Sequence, residues 1–396
     1  MVAALYPLWR DLLDEHEEAA LDPGLPDRLP RTPDVLVVGG GILGVATALA
    51  CQRAGLGTVA LVERSALGAG ATAGAGGLLV PEAQHDSDGL GTGAGDGEAD
   101  HEDVAGSDRA SIVARGRESL TLWRDLDDLV PEGVGLVSMD WLGLDPQPGL
   151  SADLPPGAEV LDADDVARLV PQLARPVGGV LVRDQARVNP LGALARLAGG
   201  IRHLATDVGV TGVETSDARV IRVSTTAGSV SPGTVVFATG GPPDAADLAL
   251  SVPASLVKGH LIATEPITLD LPVSVLPTVT QVDDGRLLAG GTLDTDDHSP
   301  DVDDRVVANI RHDLEAALPS IGQVPISHAW CCFRPAHPDE LPLVDRVPNL
   351  ANAWMTSGHF RTGILMAPVT GRALARWIDS GRRPAEVGGL ELARFG

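Results

Sequence analysis

The clearest pattern of apolar and polar positions lies between residues 34 and 63. Val35–Val38 is a run of four apolar residues, Ile42–Ala54 is a longer apolar stretch, and Thr58–Glu63 contains a second short apolar run. Short runs are typical of buried strands in a parallel sheet, whereas the longer stretch has the length of a helix. The pattern therefore predicts a β-α-β unit and an α/β fold.

The rest of the chain alternates between segments of both kinds. The pattern predicts helices over residues 111–129, 189–203, 303–318 and 369–380, and strands over residues 208–213, 220–225, 234–238 and 327–333. The 189–203 helix begins with Asn189-Pro190, a capping residue followed by one that is favoured in the first helical turn. With 396 residues, the chain is long enough for two structural domains.

Two stretches depart from this alternation. Residues 1–33 are predicted to form an N-terminal extension, with an amphipathic helix over Leu5–Ala20 and a proline-punctuated linker after it. Residues 83–110 are acidic and rich in glycine, and they contain too few large apolar residues to bury a core. We expect this second stretch to be a surface loop, either a tolerated insertion or a lid over a site.

The amino-acid composition limits which kinds of partner the protein is expected to bind. The chain carries 29 Lys and Arg against 54 Asp and Glu, a net charge of −25, which argues against nucleic acid and anionic membranes as partners. It has no run of about 18 apolar residues, so no membrane-spanning helix is expected. The first residues lack a basic region followed by an apolar one, which favours a cytoplasmic protein. The three cysteines form no disulfide framework or metal pattern, and no metal is expected.

A glycine motif of the form G-x-G-x-x-G connects the first strand to the first helix, at Gly39, Gly41 and Gly44. The first glycine permits a tight turn, the second lets the backbone approach a pyrophosphate, and the third allows the helix to pack closely on the strand. The helix that begins at Ile42 directs unpaired N–H groups and its positive dipole end toward phosphates. These features predict a dinucleotide site.

An acidic residue strengthens this prediction. Glu63 ends the second strand about 20 residues after the glycine motif, and its carboxylate can accept hydrogen bonds from a ribose diol. The same carboxylate would repel a 2′-phosphate, so FAD or NAD is favoured over NADP. Arg64, which follows Glu63, is a further candidate for contact with the cofactor.

Two other segments have a composition that suits a flat ligand. Gly68–Val80 has the sequence GAGATAGAGGLLV, and such a run of small residues lets the backbone pass close to a ring system. Gly358–Ile364 has the sequence GHFRTGI and precedes the closing helix. A glycine-flanked turn that enters a helix directs N–H groups at an electron-rich oxygen, such as a carbonyl of a flavin.

Together these segments resemble the D-amino-acid oxidase superfamily of FAD-dependent oxidoreductases, and most closely its bacterial glycine oxidases and sarcosine-oxidase-like members. The resemblance spans about residues 34–378 and is specific at its two ends. It implies a discontinuous Rossmann-type FAD-binding domain and a second, substrate domain built on a mixed β-sheet. The FAD-binding domain would comprise residues 34–82, 186–250 and 326–396, and the substrate domain residues 111–185 and 251–325.

The resemblance also implies which residues contact FAD. Thr72 would lie near the pyrophosphate, with Gly77 and Leu78 beside the flavin, and the backbone of Val210 would meet the adenine. The expected cofactor-binding residues are Gly39, Gly41, Ile42, Gly44, Glu63, Arg64, Thr72, Gly77, Leu78, Val210, Ala238, Gly240, Gly358, Phe360, Thr362, Gly363 and Ile364. Non-covalent FAD is favoured. A covalent link through Cys332 is the alternative, because sarcosine-oxidase-like relatives attach FAD to a cysteine of this strand.

The expected catalytic residues follow from the same resemblance. Arg334 matches the family's arginine that anchors the substrate carboxylate, since a guanidinium can bind a carboxylate through two hydrogen bonds, and its structural alternative is a surface ion pair. Arg361 is a second candidate, unless it only orders its turn. His359 would lie beside the flavin, either protonated to stabilise the reduced ring or neutral and packed.

One departure from the family leaves the substrate open. Glycine oxidases often place a tyrosine in the pocket just before an Asp-Gly-Arg turn, but this chain has Thr278–Gln281 at that place. Its single tyrosine is Tyr6, in the N-terminal extension. Thr278 is the residue that could supply a hydroxyl instead, and the amino-acid specificity of the family is therefore not carried over.

The expected reaction is oxidation of a small amino acid or amine to its imine, by hydride transfer to flavin N5, with O₂ as acceptor and H₂O₂ as product. Three alternatives stay open. They are a dehydrogenase of the same fold that reduces a quinone or a partner protein, a tailoring amine oxidase of secondary metabolism, and a flavin-binding subunit without activity of its own. Assembly into a homo-oligomer is also left open.

Overall fold

The computed structural model describes residues 5–24, 29–82, 106–144, 157–241, 252–275, 279–322 and 324–396. Its helices are α1 (Glu15–Leu21), α2 (Ile42–Arg53), α3 (Ala71–Gly74), α4 (Gly106–Leu129), α5 (Ala163–Leu169), α6 (Pro190–Ala198), α7 (Asp304–Ala317) and α8 (Gly363–Ser380). Short 3-10 helices cover Leu8–Leu12, Pro319–Ile321, Ala385–Val387 and Leu392–Phe395.

The strands alternate with these helices, which gives the mixed α/β fold expected from the sequence. The first nine are β1 (Val35–Val38), β2 (Val59–Val62), β3 (Leu78–Leu79), β4 (Val137–Leu144), β5 (Glu159–Leu161), β6 (Gly179–Arg187), β7 (His203–Ala205), β8 (Val210–Ser216) and β9 (Arg219–Thr225). The others are β10 (Gly228–Val230), β11 (Thr234–Gly240), β12 (Ser255–Thr264), β13 (Ser274–Val275), β14 (Thr280–Gln281), β15 (Leu287–Gly290), β16 (Ile326–Ala336), β17 (Leu343–Arg346) and β18 (Ala353–Ser357).

A six-stranded sheet in the order β17-β18-β11-β1-β2-β7 forms the centre of the first unit. Neighbouring strands are parallel except at the edge, where β17 is antiparallel to β18. Val35 and Val37 of β1 join the core formed with α2, α6 and α8, whereas Leu36 and Val38 pack toward the antiparallel sheet β10-β9-β8. Both faces of the sheet are therefore covered, which explains the uninterrupted apolar run of β1.

Two further sheets form the second unit. One is mixed, with the order β13-β4-β6-β3 and with β5 paired to β6, and the other is antiparallel, with the order β14-β15-β12-β16. Residues 326–336, which the sequence analysis assigns to the FAD-binding domain, form β16. This strand pairs with β12 from Ser255↔Ala336 to Thr264↔Ile326, so it joins the second unit to the first.

The closing helix begins earlier than the sequence pattern predicts. It is expected from residue 369, but α8 starts at Gly363 and continues through Pro368. Proline has no N–H for the carbonyl four residues before it, here that of Ile364. The Trp123 indole of α4 donates to this carbonyl at 3.2 Å, so the helix continues without an unpaired buried oxygen.

The N-terminal segment also differs from the prediction. The expected single helix over Leu5–Ala20 is replaced by the 3-10 helix Leu8–Leu12 and by α1, which begins after Asp14 in a capping box with Glu17. Leu8 and Trp9 belong to the core of the first unit. The described part of residues 1–33 is therefore packed on the fold rather than appended to it.

Some predictions fall on residues outside the description. These are most of the acidic stretch 83–110, of which residues 83–105 are not described, and Thr278. Among the described residues, no helix is both long enough and apolar enough to cross a membrane, and no group of three or more His, Cys, Asp or Glu is arranged to hold a metal ion.

Candidate functional site

A cavity of about 500 Å³ opens at the carboxyl ends of β1, β2 and β11. It extends from the turn before α2 to strands β12 and β16 of the second unit, and it reaches the first turn of α8. In parallel α/β sheets, ligands bind at this edge of the strands. The cavity is therefore the candidate site, and its walls come from both units.

The glycine turn forms one wall of the cavity. Gly39 has φ +113°, and a Cβ at this position would lie 2.3 Å from the carbonyl oxygen of Ala238. A Cβ on Gly44 would lie 1.8 Å from the Gly39 oxygen, whereas a Cβ on Gly41 would meet only Thr72 Oγ1, at 3.4 Å. Gly39 and Gly44 thus close the turn, and Gly41 leaves the backbone open to a ligand.

Glu63 is fixed at one end of this wall. Its carboxylate accepts the N–H of Gly40 at 2.6 Å and the N–H of Ser65 at 3.0 Å, and the side chain lines the cavity. The N–H of Val208 donates to the Glu63 carbonyl at 2.7 Å, which brings the start of β8 to the same end. A ligand with hydroxyl donors would meet the oxygen atoms of Glu63 there.

Small residues form the opposite wall. Thr72 in α3 accepts the N–H of Ile42 through Oγ1 at 3.1 Å, so its hydroxyl lies at the start of α2. Gly74 has no space for a side chain, because a Cβ would lie 2.1 Å from Cys332 Cβ, and a Cβ on Gly77 would lie 2.2 Å from the Val188 oxygen. Glycine is required at both positions by close packing, and this packing leaves the cavity side open.

The C-terminal turn directs α8 at the cavity. Gly358 has φ +64°, and a Cβ there would lie 2.1 Å from the ring of His337. Phe360 holds φ +44°, a conformation that costs energy for a bulky side chain, while its N–H donates to the Pro335 oxygen at 2.9 Å. Gly363, the first residue of α8, lines the cavity, so the positive end of the helix dipole faces it.

Arg334 on β16 is the cationic side chain at the second unit's wall. It is partly buried, and its Nη1 donates to the Thr292 carbonyl at 3.0 Å. A Cβ on Gly259 of the neighbouring strand would lie 1.9 Å from this Nη1, so the guanidinium lies across that glycine. Burial lowers the pKa of Arg334, yet a guanidinium stays protonated at neutral pH. The ion pair considered from the sequence is absent among the described residues.

Cys332 lies two residues before Arg334 on β16 and also lines the cavity. Its Sγ donates to the Gly74 oxygen at 3.4 Å. Burial raises the pKa of this thiol, although the nearby charge of Arg334 acts in the opposite direction. The thiol is therefore protonated at neutral pH, which disfavours attack by a thiolate and agrees with FAD held without a covalent bond.

His359 is buried beside the same cavity. Its Nε2 lies 3.2 Å from Thr370 Oγ1, and Nδ1 has no hydrogen-bond partner among the described residues. Burial lowers the pKa of the ring to about 3. Of the two forms considered from the sequence, burial favours the neutral one, because an imidazolium would be buried without an anionic partner among the described residues.

Burial of His359 makes stability depend on pH. The pKa is about 3 in the folded chain against 6.5 for the free side chain, so between these values only the unfolded state binds the proton. Stability is complete above pH 6.5 and falls as the pH drops toward 3. We expect His359 alone to account for about 2 kcal/mol of lost unfolding free energy at pH 5.

Urea unfolding of the FAD-free protein at pH 7.5 and pH 5 measures this loss. His359→Asn should retain more of its stability at pH 5 than the wild type does, while His16→Asn, at an exposed position of α1, should behave as the wild type. An equal loss in all three proteins would contradict the role of His359.

Most of the residues expected from the sequence meet at this cavity. It is lined by Gly39, Gly41, Ile42, Glu63, Arg64, Thr72, Gly77, Leu78, Val210, Ala238, Gly240, Arg334, His359, Phe360, Arg361, Gly363 and Ile364. Three expected residues do not line it. Gly44 packs beneath the turn, Gly358 packs on His337, and the Thr362 hydroxyl donates to the His359 oxygen at 2.8 Å.

Several lining residues were missed in the sequence. Phe237, Leu261 and Pro335 contribute to the walls, together with Gly291. Phe237 and Leu261 are apolar strand residues, and their sequence pattern does not show whether such a residue lines a cavity or packs in the core. Gly291 lies at the cavity because β15 pairs with β12, and this pairing between distant segments has no local signal.

The comparison with protein families identifies the cofactor of the protein. A family described as "DAO: FAD dependent oxidoreductase" matches residues 34–377. The chain belongs to this family. The protein is therefore an FAD-dependent oxidoreductase, and the resemblance drawn from the sequence is confirmed.

Individual members of the DAO family are similar over most of their length. The glycine oxidase of Bacillus licheniformis is 27% identical over 357 residues, which cover 87% of this chain and 92% of the relative. The hydrogen cyanide synthase subunit HcnC of Pseudomonas aeruginosa is 28% identical, covering 92% of this chain and 97% of the relative. The crystal structure of glycine oxidase from Geobacillus kaustophilus superimposes with a TM-score of 0.75 at 22% identity, covering 92% of this chain and 99% of that one.

The residues of the cavity suit FAD on physical grounds. The open backbone at Gly41 and the first turn of α2 suit the pyrophosphate, and the carboxylate of Glu63 suits a ribose. The small-residue wall leaves room for a flat ring, and the first turn of α8 offers N–H groups to a ring carbonyl. This DAO-family cavity therefore has a complementary group for each part of the cofactor.

Proposed function

We propose that this protein oxidises a small amino acid or a related amine that carries a carboxylate to the corresponding imine, with O₂ as acceptor. In the overall reaction, the substrate loses two electrons and two protons, O₂ becomes H₂O₂, and water then hydrolyses the imine. Bound FAD supplies the acceptor for the hydride that leaves the substrate Cα. The chain's own groups bind and orient the substrate and exclude water.

The observation that carries this proposal is the guanidinium of Arg334, which has no carboxylate partner among the described residues. A desolvated cation without a carboxylate partner is costly, and an anionic ligand relieves that cost. The Nη1 atom is already bonded to the Thr292 oxygen, which fixes the plane of the guanidinium. Its remaining N–H groups would hold a substrate carboxylate in the cavity.

Two ionisable groups near Arg334, those of His359 and Cys332, support a role in orientation rather than in proton transfer. His359 is neutral because its pKa is about 3, so it is not a cation at neutral pH. Cys332 is a thiol rather than a thiolate, because burial raises its pKa. We therefore assign no proton transfer to either side chain, and the amine of the substrate would lose its proton to solvent before it is oxidised.

Gly259 offers a test of the orientation of Arg334. A Cβ at Gly259 would overlap the guanidinium, at 1.9 Å from Nη1 and 2.5 Å from Cζ. We expect Gly259→Ala to lower kcat/KM for an amino-acid substrate about 10- to 100-fold, with unchanged FAD content. Gly199→Ala is the control, since its Cβ would meet nothing closer than 3.4 Å. An unchanged kcat/KM in the Gly259 variant would show that the guanidinium is not held against this strand.

The function itself is tested by mixing purified, FAD-loaded protein anaerobically with a panel of amino acids, their N-methyl derivatives and the matching amines. Bleaching of the flavin absorbance by a carboxylate-bearing member, with stoichiometric H₂O₂ after O₂ is admitted, is the expected result. Bleaching of the flavin without H₂O₂ would show that O₂ is not the acceptor and would favour a quinone or a partner protein in its place. Flavin that no member reduces would contradict the proposed oxidation.

The second candidate is a flavin-bearing subunit of a larger enzyme. It is favoured by the relative of Pseudomonas aeruginosa, which is named as a subunit of hydrogen cyanide synthase. The same panel separates the two functions, because a subunit that needs partners would bind FAD yet stay oxidised in isolation. If the protein instead modifies a product of secondary metabolism, only a cyclic amine would reduce the flavin.

A further inference from the structure

Residues 8–24, here called the N-terminal strap, precede the first strand and pack against the wall of the FAD cavity. Leu8 and Trp9 of the strap are 0% and 2% exposed. The Trp9 indole N–H donates to the Ala75 oxygen at 2.7 Å, and the Trp9 carbonyl accepts from Asn189 Nδ2 at 3.1 Å. The strap is thereby bonded to the small-residue wall of the cavity and to the residue that caps α6.

The rest of the strap is anchored along the same side. Glu17 is buried and accepts from Arg196 Nε at 2.7 Å through its carboxylate. The N–H of Leu67, just before the small-residue wall, donates to the Leu21 oxygen at 2.8 Å. The strap therefore contacts the segment from residue 67 to residue 77 at both of its ends.

Two tryptophans hold consecutive carbonyls of this wall. The Trp330 indole of β16 donates to the Gly74 oxygen at 3.2 Å, and Trp9 donates to the Ala75 oxygen. Because no peptide bond of the described chain is cis, the N–H of Gly76 points away from the carbonyl that Trp9 holds. Ala75 and Gly76 line the cavity. The two indoles thus set the direction of two consecutive peptide groups of this wall.

The ring of Trp9 also supports the wall from behind. A Cβ on Gly77 would lie 3.4 Å from Cζ2 of Trp9, and the Gly77 oxygen accepts from the N–H of Val188. Trp9 itself is not among the residues that line the cavity. It contacts residues that line the cavity. A wall built mainly of alanine and glycine has few side chains of its own to fix its shape, so it depends on such contacts.

We propose that the N-terminal strap holds the small-residue wall in the shape that binds FAD, and that Trp9 is its positioning residue. The strap is a determinant of cofactor retention that lies outside the FAD-binding motifs. Without the Trp9 indole, the peptide between Ala75 and Gly76 gains freedom that FAD binding must then remove. The loss appears in the affinity for FAD rather than in the stability of the FAD-free fold.

Trp9→Phe tests this proposal, because it removes the N–H and keeps an aromatic ring. We expect the Kd for FAD, measured by quenching of flavin fluorescence, to rise about tenfold, while the Tm of the FAD-free protein falls no further than in a matched buried Trp-to-Phe control. Trp354→Phe is the matched control, since Trp354 is buried and its indole N–H has no partner among the described residues. An unchanged Kd in Trp9→Phe, or an equal rise in both variants, would overturn the proposal.

Hydrogen exchange on the wild-type protein tests the same coupling without a substitution. Because linkage is reciprocal, saturating FAD must slow amide exchange in residues 8–24 if docking of the strap favours FAD. We expect slower exchange there in the FAD-bound protein and unchanged exchange at the distant hairpin of β8 and β9 residues 214–222. Equal exchange of the strap with and without FAD would overturn the proposal, even if the Trp9 variant failed to fold.

Discussion

Arg334→Gln is expected to lower kcat/KM for a carboxylate-bearing substrate roughly 100- to 1000-fold. Glutamine places its amide nitrogen near the position of the arginine Nε, so it is two bonds shorter than the guanidinium and loses the charge and the second parallel N–H that a carboxylate requires. The strand itself keeps its place, since β16 pairs with β12 through backbone groups that the substitution does not change. Steady-state H₂O₂ release, with FAD content measured by absorbance, separates this loss from loss of cofactor.

The substrate series makes this expectation specific. The loss should shrink to within about fivefold for an amine that has no carboxylate, because the missing charge then has no partner. Arg222→Gln is the control, as Arg222 is exposed and pairs with Glu214 far from the reaction. A loss of equal size for amines and amino acids would show that Arg334 acts on the fold or on FAD rather than on the substrate.

Gly44→Ala is expected to weaken FAD binding by at least about 100-fold and to lower the Tm by about 5 °C. The added Cβ would lie 1.8 Å from the Gly39 oxygen, so α2 and the turn must separate by about 1.5 Å to restore ordinary contact. The turn would then no longer present its N–H groups at the distance that a pyrophosphate needs. Equilibrium dialysis with FAD and thermal unfolding measure the two effects.

The same substitution at Gly199 separates this effect from a general cost of alanine. Gly199 ends α6 with φ −56°, where alanine fits, and we expect wild-type Tm and FAD content. FAD bound normally by Gly44→Ala would mean that the helix can shift without moving the phosphate-facing backbone.

Much of the FAD side of the cavity follows from local sequence. Gly39, Gly41 and Glu63 belong to one continuous β-α-β unit, so their spacing along the chain already fixes their relative positions. The run of small residues and the glycine-flanked turn at Gly358 are likewise local features. For this reason the mixed α/β fold and the FAD cofactor could both be predicted from the sequence alone.

The features that were missed depend on pairing between distant segments. The pairing of β16 with β12 could not be predicted, because the apolar residues of β16 suit either sheet and its partner strand lies about 70 residues earlier in the chain. Nothing local to Gly259 shows that it leaves space for the side chain of Arg334, 75 residues further along the chain. The pKa of His359 could not be derived either, because it depends on burial by segments on both sides of it.

The contacts of the N-terminal strap impose an order on synthesis. Glu17 and Gly24 are synthesised about 180 residues before their partners Arg196 and Thr206. Leu8 and Trp9 therefore keep their apolar surfaces exposed until those later segments have emerged from the ribosome. Pairings this far apart in sequence are slow to form, so docking of the strap should be a late event in the maturation of the nascent chain.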